Sequence, residues 1–395
     1  MRYRSFDPSP HRFPKPAVSV LPPLNRHAVA LRPQPDLGML LDAPNAVHYA
    51  RARYALMDAF QLCGVGTGSA LLAPAYHCRT MLDPAIRLGA EILLYPSGPD
   101  LVPDMDALQT VVATSEIPIR AMLVSHFFGF SQPMDSLVAW CDENAIAMIE
   151  DCSHCLFMPS PTARLGLAGR YCVSSPYKFF AASDGGILWA NGGARLPQIG
   201  TRSAGLIAEC KGAVSAALKL FEGSIAKVDA STSQWRNTGI DESAWQLDDP
   251  VNDTDAWSSL YVPSDERRRS LAVSRRIMRH TPIQALTSRR RANYLSWLEC
   301  VAQLPHCTPL FPDLPPGCVP YMFPLRIDNP NPVFYRLKYL GVPIWRWDDM
   351  AVSDCDVATD YRTRVLHLPC HQALTDSQMS WMTDMVSSVI ATDTV

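Results

Sequence analysis

Lysine is scarce in this chain. Of 35 basic residues only six are lysines, at positions 15, 178, 211, 219, 227 and 338. Between residues 16 and 210, chemistry that needs a primary amine has Lys178 alone to use. Long apolar runs are missing too. Ala121 to Gly129 is apolar, but it is too short for a membrane span and His126 interrupts it. A net charge of -3 gives no electrostatic case for nucleic acid or an anionic membrane. The Arg- and Pro-rich N-terminus has no apolar stretch of the kind that forms a secretory signal. The twelve cysteines form no disulfide framework. Cys63, Cys78, Cys141, Cys152, Cys155 and Cys172 mostly lie in apolar runs, where a thiol behaves as a small buried hydrophobe. Cys152 and Cys155 have no second ligand pair at zinc-like spacing, so no metal is expected. A reducing cytoplasm suits such a chain. No repeat or low-complexity tract stands out.

What is present reads as an ordinary globular enzyme, with 48% hydrophobic and 18% charged residues. Its 395 residues suit two lobes. Residues 1–48 read as a Pro-rich arm, and 49–228 as a large domain. Residues 229–262 are polar and poorly periodic, a loop or lid, and 263–395 form a small α+β domain. In the large domain apolar spacing predicts helices over 50–60, 81–88, 105–112, 134–144 and 203–227. Strands are predicted over 70–73, 92–95, 121–125, 145–149, 171–174 and 186–190. This alternation implies an α/β fold with a mainly parallel sheet covered on both faces. Beyond it, 267–304 reads as helical. Then come a strand at 322–327, a helix at 332–340, a strand at 342–345 and a closing helix from Thr375.

Four segments carry candidate chemistry. Arg51-Ala52-Arg53 opens a helix, where free N–H groups and added charge suit a phosphate. Pro74-Ala-Tyr76-His77-Cys78 follows a strand, where α/β sheets place ligands, and an aromatic or soft side chain there suits a flat ring. Asp151 ends a buried strand, where a carboxylate needs a partner such as a protonated pyridine nitrogen; His154 lies three residues on. Ser174-Ser175-Pro-Tyr-Lys178 sets a lysine among aromatics beside two hydroxyls suited to a phosphate, and burial favours the free amine that imine formation needs. Gly185 and Gly186 then allow a sharp return to the next strand.

In this order the motifs resemble the DegT/DnrJ/EryC1/StrS aminotransferases, a pyridoxal-phosphate (PLP) group of fold type I whose members are typically sugar aminotransferases. The resemblance rests on Ala55-Leu56, Pro74-Ala-Tyr76, Gly89-Ala-Glu91 and His126-Phe-Phe-Gly129. It continues through Glu150-Asp151-x-x-His154, Pro-x-Lys178 with Asp184-Gly-Gly186, Arg289-Arg-Arg-x-Asn-Tyr294 and Leu368-Pro-x-His371. It implies a large PLP-binding domain, a small C-terminal domain and a homodimer. By position, Lys178 becomes the Schiff-base lysine and proton shuttle, Asp151 the partner of the pyridine nitrogen, and His154 a neighbour of the ring. Ser174 or Ser175, with the backbone at Ala52 and Arg53, would hold the phosphate, and Cys78 or Tyr76 would cover the ring. The chain departs from the family where Ala52-Arg53 replaces a Gly-Thr pair, where Cys78 replaces a stacking aromatic, and where Val173 occupies the usual place of the phosphate serine.

On the substrate side, Trp345-Arg346-Trp347-Asp348 resembles a segment lining the family's active-site mouth. There Arg346 would clamp a carboxylate and Trp347 would pack or stack. The expected reaction moves an amino group from a donor such as glutamate to a keto-sugar or another carbonyl metabolite. One cofactor also serves lyases, decarboxylases and racemases, and the altered phosphate cup leaves open a non-catalytic regulator.

Overall fold

A computed structural model describes residues 1–9, 11–33, 45–157, 165–221 and 250–392. The chain runs through β1 (Arg2–Arg4), β2 (Val47–Tyr49), α1 (Ala52–Leu62), β3 (Ala70–Pro74), α2 (Arg79–Arg87), β4 (Glu91–Tyr95), α3 (Met105–Thr114), β5 (Ile119–Ser125) and α4 (Met134–Glu143). It continues with β6 (Ala147–Asp151), β7 (Tyr171–Ser174), β8 (Gly186–Ala190), α5 (Leu206–Phe221), β9 (Val251–Asp253), α6 (Ala272–His280), α7 (Ile283–Val301) and β10 (Cys307–Pro309). The last elements are β11 (Met322–Ile327), α8 (Pro330–Tyr339), β12 (Met350–Ala351), α9 (Asp356–Arg364), β13 (Val365–Pro369) and α10 (Asp376–Ala391).

Seven strands form the main sheet in the order β2-β8-β7-β6-β5-β3-β4. Neighbours from β7 to β4 are parallel, and β8 runs antiparallel to both β7 and β2. Both faces are covered, so the strands are continuous apolar runs; all of β3 is buried. After β4 the chain crosses to the other side of β3 to add β5. Strand order reverses there, and ligands of open α/β sheets collect at the strand C-termini near such a reversal. Ser125 and Asp151 sit side by side on that rim.

The second sheet, β10-β11-β13, is antiparallel. Its apolar face packs with residues of α7, α8 and α10 in a separate core centred on Trp297, Phe323, Leu337 and Val386. A third sheet places β1 between β12 and β9, so the first residues of the chain join the small lobe to the segment after 250.

Several sequence expectations need correction. Residues 342–345 form no strand: Pro343 lacks an N–H, and Ile344 N bonds back to Val342 O at 2.9 Å in a tight turn. The stretch 267–304 divides into α6 and α7 at Thr281-Pro282, because proline opens a helix more readily than it continues one. The helix expected over 203–227 spans Leu206–Phe221, and 222–228 lie outside the described residues. The expected lid at 229–262 also lies outside them up to residue 249. Its described end carries β9 and a strap whose Ser258 bonds both oxygens of Asp83.

Candidate active site

The first turn of α1, the ends of β5 and β6, and the turn after β7 meet around a recess of about 50 Å³. Alternation along the strands decides which side chains reach it. On β6, Ile149 faces the α1 core while Glu150 faces the other side, so Asp151 returns to the α1 side and lines the recess. On β7, Val173 faces α1, which sends Ser174 to the far face. It is fully buried and absent from the recess wall, whereas Ser175 lines it. Of the two serines suggested for a phosphate, only Ser175 is placed for it.

Lys178 ends a short 3-10 turn, Pro176–Lys178, started by proline and closed by Lys178 N donating to Ser175 O at 3.1 Å. Asp151 is 4% exposed, and its Oδ1 accepts from Ser153 N at 2.9 Å. Ser125 ends β5 beside Asp151. It is buried, its hydroxyl has no partner among the described residues, and it lines the recess.

Glycine is essential where β8 meets the start of α1. A Cβ on Gly186 would lie 2.3 Å from Arg51 C and 2.5 Å from Ala52 N. Only a residue without a side chain lets β8 lie against the start of α1. That start has no side-chain cap, so its N–H groups are available to an anion. Arg51 and Arg53 both line the recess. The Arg51 guanidinium lies 4.5 Å above the Tyr177 ring and donates to Ser183 O, while Arg53 donates to Leu260 O.

His154 lines the recess inside an aromatic cage. Its ring stacks on Tyr321 at 4.3 Å, with Phe128 at 5.9 Å and Trp347 at 5.6 Å. Burial, then the nearby Lys178 charge, holds its pKa well below the ordinary histidine value, so the imidazole is neutral. Behind the rim, the buried Glu150 carboxylate accepts from His126 Nε2 at 2.8 Å and from the N–H groups of Gly166, Ala168 and Gly169. Burial pushes its pKa up, but these bonds outweigh it and hold the group below the usual carboxylate range. The nearby His126, Glu150 and Cys152 side chains are thus committed to one another.

Not every suggested residue is in the wall. Ala52, Arg53, Cys78, Asp151, His154, Ser175, Lys178 and Trp347 are; Tyr76, His77, Ser174 and Arg346 are not. Tyr76 sits one layer back, its hydroxyl 3.1 Å from His367 Nε2 and its ring 4.8 Å from Trp347. His77 is fully buried. Its Nδ1 lies 2.9 Å from Ala75 O, and its Nε2 accepts from Ala351 N, latching the loop to β12. Burial lowers its pKa to about 4. Arg346 packs 3.7 Å over the Phe334 ring and pairs with Asp348, away from the recess. Trp347 lines the recess while its neighbour Arg346 turns away to Phe334. Arg51, Ser125, Phe127, Ser153 and Tyr177 also line the recess. The position of Ser125, last on a buried strand beside that of Asp151, was the one available signal for it.

A seven-stranded, mainly parallel sheet with a lysine and a carboxylate at its C-terminal rim defines the fold of the type I pyridoxal-phosphate enzymes. Residues 36–200 match the model of the DegT/DnrJ/EryC1/StrS aminotransferase family. Solved structures share the fold across nearly the whole chain. The aminotransferase TlmJ from Streptoalloteichus hindustanus is 20% identical, with 88% of this chain and 86% of that one covered at a TM-score of 0.58. PseC of Helicobacter pylori, an aminotransferase of pseudoaminic acid biosynthesis, is 14% identical over 87% and 86%, at 0.59. 3-Amino-5-hydroxybenzoic acid synthase is 16% identical over 88% and 87%, at 0.60. Among the described residues no helix is long and apolar enough to cross a membrane.

Proposed function

We propose that this chain is a PLP-dependent aminotransferase whose reacting amine is Lys178. The observation that carries the reading is the meeting of Lys178, Asp151 and the uncapped start of α1 in one recess. The residues present suit the cofactor. Ser175, Arg51, Arg53 and the first N–H groups of α1 would hold its phosphate. Asp151 would hold its pyridine nitrogen, and Cys78 and Ser153 line the wall where its ring would lie. Ser125 offers a buried hydroxyl in need of a partner.

Bound there, PLP supplies a carbonyl carbon that exchanges between amines and a ring that draws off the electrons of a donor's Cα–H bond. The protein's part is placement and proton handling. Lys178 Nζ, when free, would take the proton from the donor's Cα and deliver it to the former carbonyl carbon of the cofactor. Asp151, fixed by Ser153 N, would face the ring nitrogen. The neutral His154 adds a polar group beside Lys178 without a second positive charge. Phe127 and Trp347 wall off water on the substrate side.

The finer reading is an amino donor such as glutamate and an acceptor that is a keto-sugar or another carbonyl metabolite. A homodimer is the proposed assembly, supported by the outward apolar side chains Leu206, Ile207, Val214 and Leu218 of α5. A cytoplasmic setting agrees with twelve free thiols. The test is a borohydride reduction of the PLP-loaded protein followed by peptide mass analysis, then a spectral titration with a panel of amino acids. One pyridoxyl group should appear on Lys178, and none in Lys178→Ala. A donor should convert the pyridoxal spectrum to the pyridoxamine one. Fixation without any such conversion would sink the aminotransferase reading and favour another reaction of the same cofactor.

A further inference from the structure

Tyr321 belongs to the small lobe, yet its ring lies near the Lys178 amine. It lies just before β11 and is 4% exposed. Lys178 Nζ sits 5.4 Å from its ring centroid, and the same ring stacks on His154. Its backbone is held from three sides. Tyr321 N donates to Phe128 O at 2.8 Å. Arg290 Nη1 donates to Tyr321 O and to Pro320 O, both at 3.0 Å. Gly129, at φ 108°, allows the close approach: a Cβ there would lie 2.6 Å from Pro320 Cα and from Val319 O.

Arg290 is fully buried. Its other nitrogens reach the large lobe. Nη2 donates to Lys178 O at 3.1 Å and Phe179 O at 3.4 Å, and Nε donates to Gln372 Oε1 at 2.9 Å. Gln372 Nε2 returns to Phe179 O at 2.8 Å. A planar guanidinium with five N–H groups can bind two chain segments at once, which a lysine in its place cannot. The backbone of Lys178 and the backbone of Tyr321 are therefore fixed to the same rigid group.

We propose that the ring of Tyr321 is the seat on which the free amine of Lys178 rests, set in place by Arg290, and that this seat keeps Nζ positioned for proton transfer. The inference rests on the reading of Lys178 as the reacting amine. Once Nζ has taken up a proton it is an ammonium, and an ammonium over an aromatic face is attracted to it, more strongly where water is excluded. Of the titratable groups nearby, Asp151 is held by Ser153 N at 2.9 Å, and the two histidines carry no charge. Burial, then the Lys178 charge, keeps His154 and His367 neutral, and Arg290 is spent on carbonyl oxygens and Gln372. Tyr321 is a positioning residue on this view, and its aromatic face matters rather than its hydroxyl.

The scarcity of lysine makes a direct test possible. Reductive 13C-methylation of the full chain without cofactor labels six lysines, with Lys178→Arg assigning the signal of interest. Its methyl resonance should lie upfield of the others because of the tyrosine ring. The displacement should persist in Tyr321→Phe, vanish in Tyr321→Leu and shrink in Arg290→Lys, which keeps the ring but loosens its mount. In PLP-loaded protein, the donor half-reaction of Tyr321→Leu should slow roughly tenfold at saturating donor, with donor KM within about twofold. Tyr321→Phe should stay near wild type. An unshifted Lys178 signal in wild type, or a Phe variant as slow as Leu, overturns the proposal. Failure of borohydride to label Lys178 instead overturns the assignment of the reacting amine, leaving the ring displacement as it is.

Discussion

Gly186→Ala offers a sharp separation of cofactor binding from folding. The added Cβ would meet three backbone atoms, Arg51 C at 2.3 Å and Ala52 N and Arg51 O at 2.5 Å. Backbone cannot swing aside as a side chain can. An ordinary contact is about 3.4 Å or more, so the first turn of α1 must retreat by roughly 1 Å. Overpacking of this kind costs about 1–3 kcal/mol, which a domain with about 5–15 kcal/mol in hand survives. The first turn of α1 is also the proposed phosphate grip, and a displacement of about 1 Å at a positioned site can cost on the order of 100-fold. We expect the variant to fold, to lose about 1–3 kcal/mol in urea unfolding, and to bind PLP at least about tenfold more weakly by equilibrium dialysis. Gly200→Ala is the control, because a Cβ there meets nothing within 4 Å. A Gly186→Ala protein that binds PLP within twofold of wild type would refute the placement of the phosphate at α1.

Two further expectations concern other buried groups. Ser125→Ala removes a hydroxyl that lacks a partner until the recess is filled. Its stability without cofactor should be unchanged or up to about 1 kcal/mol higher, while PLP affinity falls roughly fivefold; a less stable protein with unchanged affinity would contradict this. His371 is buried, its Nε2 lies 2.9 Å from Ser19 O, and burial lowers its pKa from 6.5 to about 3. The unfolded chain binds a proton below pH 6.5 that the folded chain refuses, so the stability from this group is present above that pH and is lost as pH falls toward 3. Between pH 7 and pH 5, His371 should account for a loss of roughly 2 kcal/mol, read as a shallower pH dependence of urea unfolding in His371→Gln. Parallel pH curves for the two proteins would refute it.

The large lobe was legible because its signals are local. Buried parallel strands are short apolar runs, and each is followed by an amphipathic stretch, so β3 to β6 and α2 to α4 follow from periodicity alone. Asp151 and Lys178 were legible for a related reason, since each is an ionisable residue at the end of an apolar run. What local pattern cannot tell is the facing of side chains within a loop. Tyr76, His77 and Cys78 are consecutive, yet only Cys78 reaches the recess, because the turn between β3 and α2 sends His77 to β12 and Tyr76 to His367. Strand pairings between distant segments were equally hidden. β1 and β9 are three residues each and lie 247 positions apart at their paired ends, Arg4 and Val251, with no periodicity to mark either. The same holds for Arg290. In sequence it is the middle of three arginines on what reads as a solvated stretch. The helix turns by about 100° per residue, so Arg289 and Arg291 reach Leu374 O and Pro315 O near the surface, while Arg290 alone points inward to the lysine loop. A run of like charges thus conceals a buried cation that links the two lobes. Only its spacing from the apolar positions Leu286, Tyr294 and Trp297, four before and four and seven after it, marks the inward face.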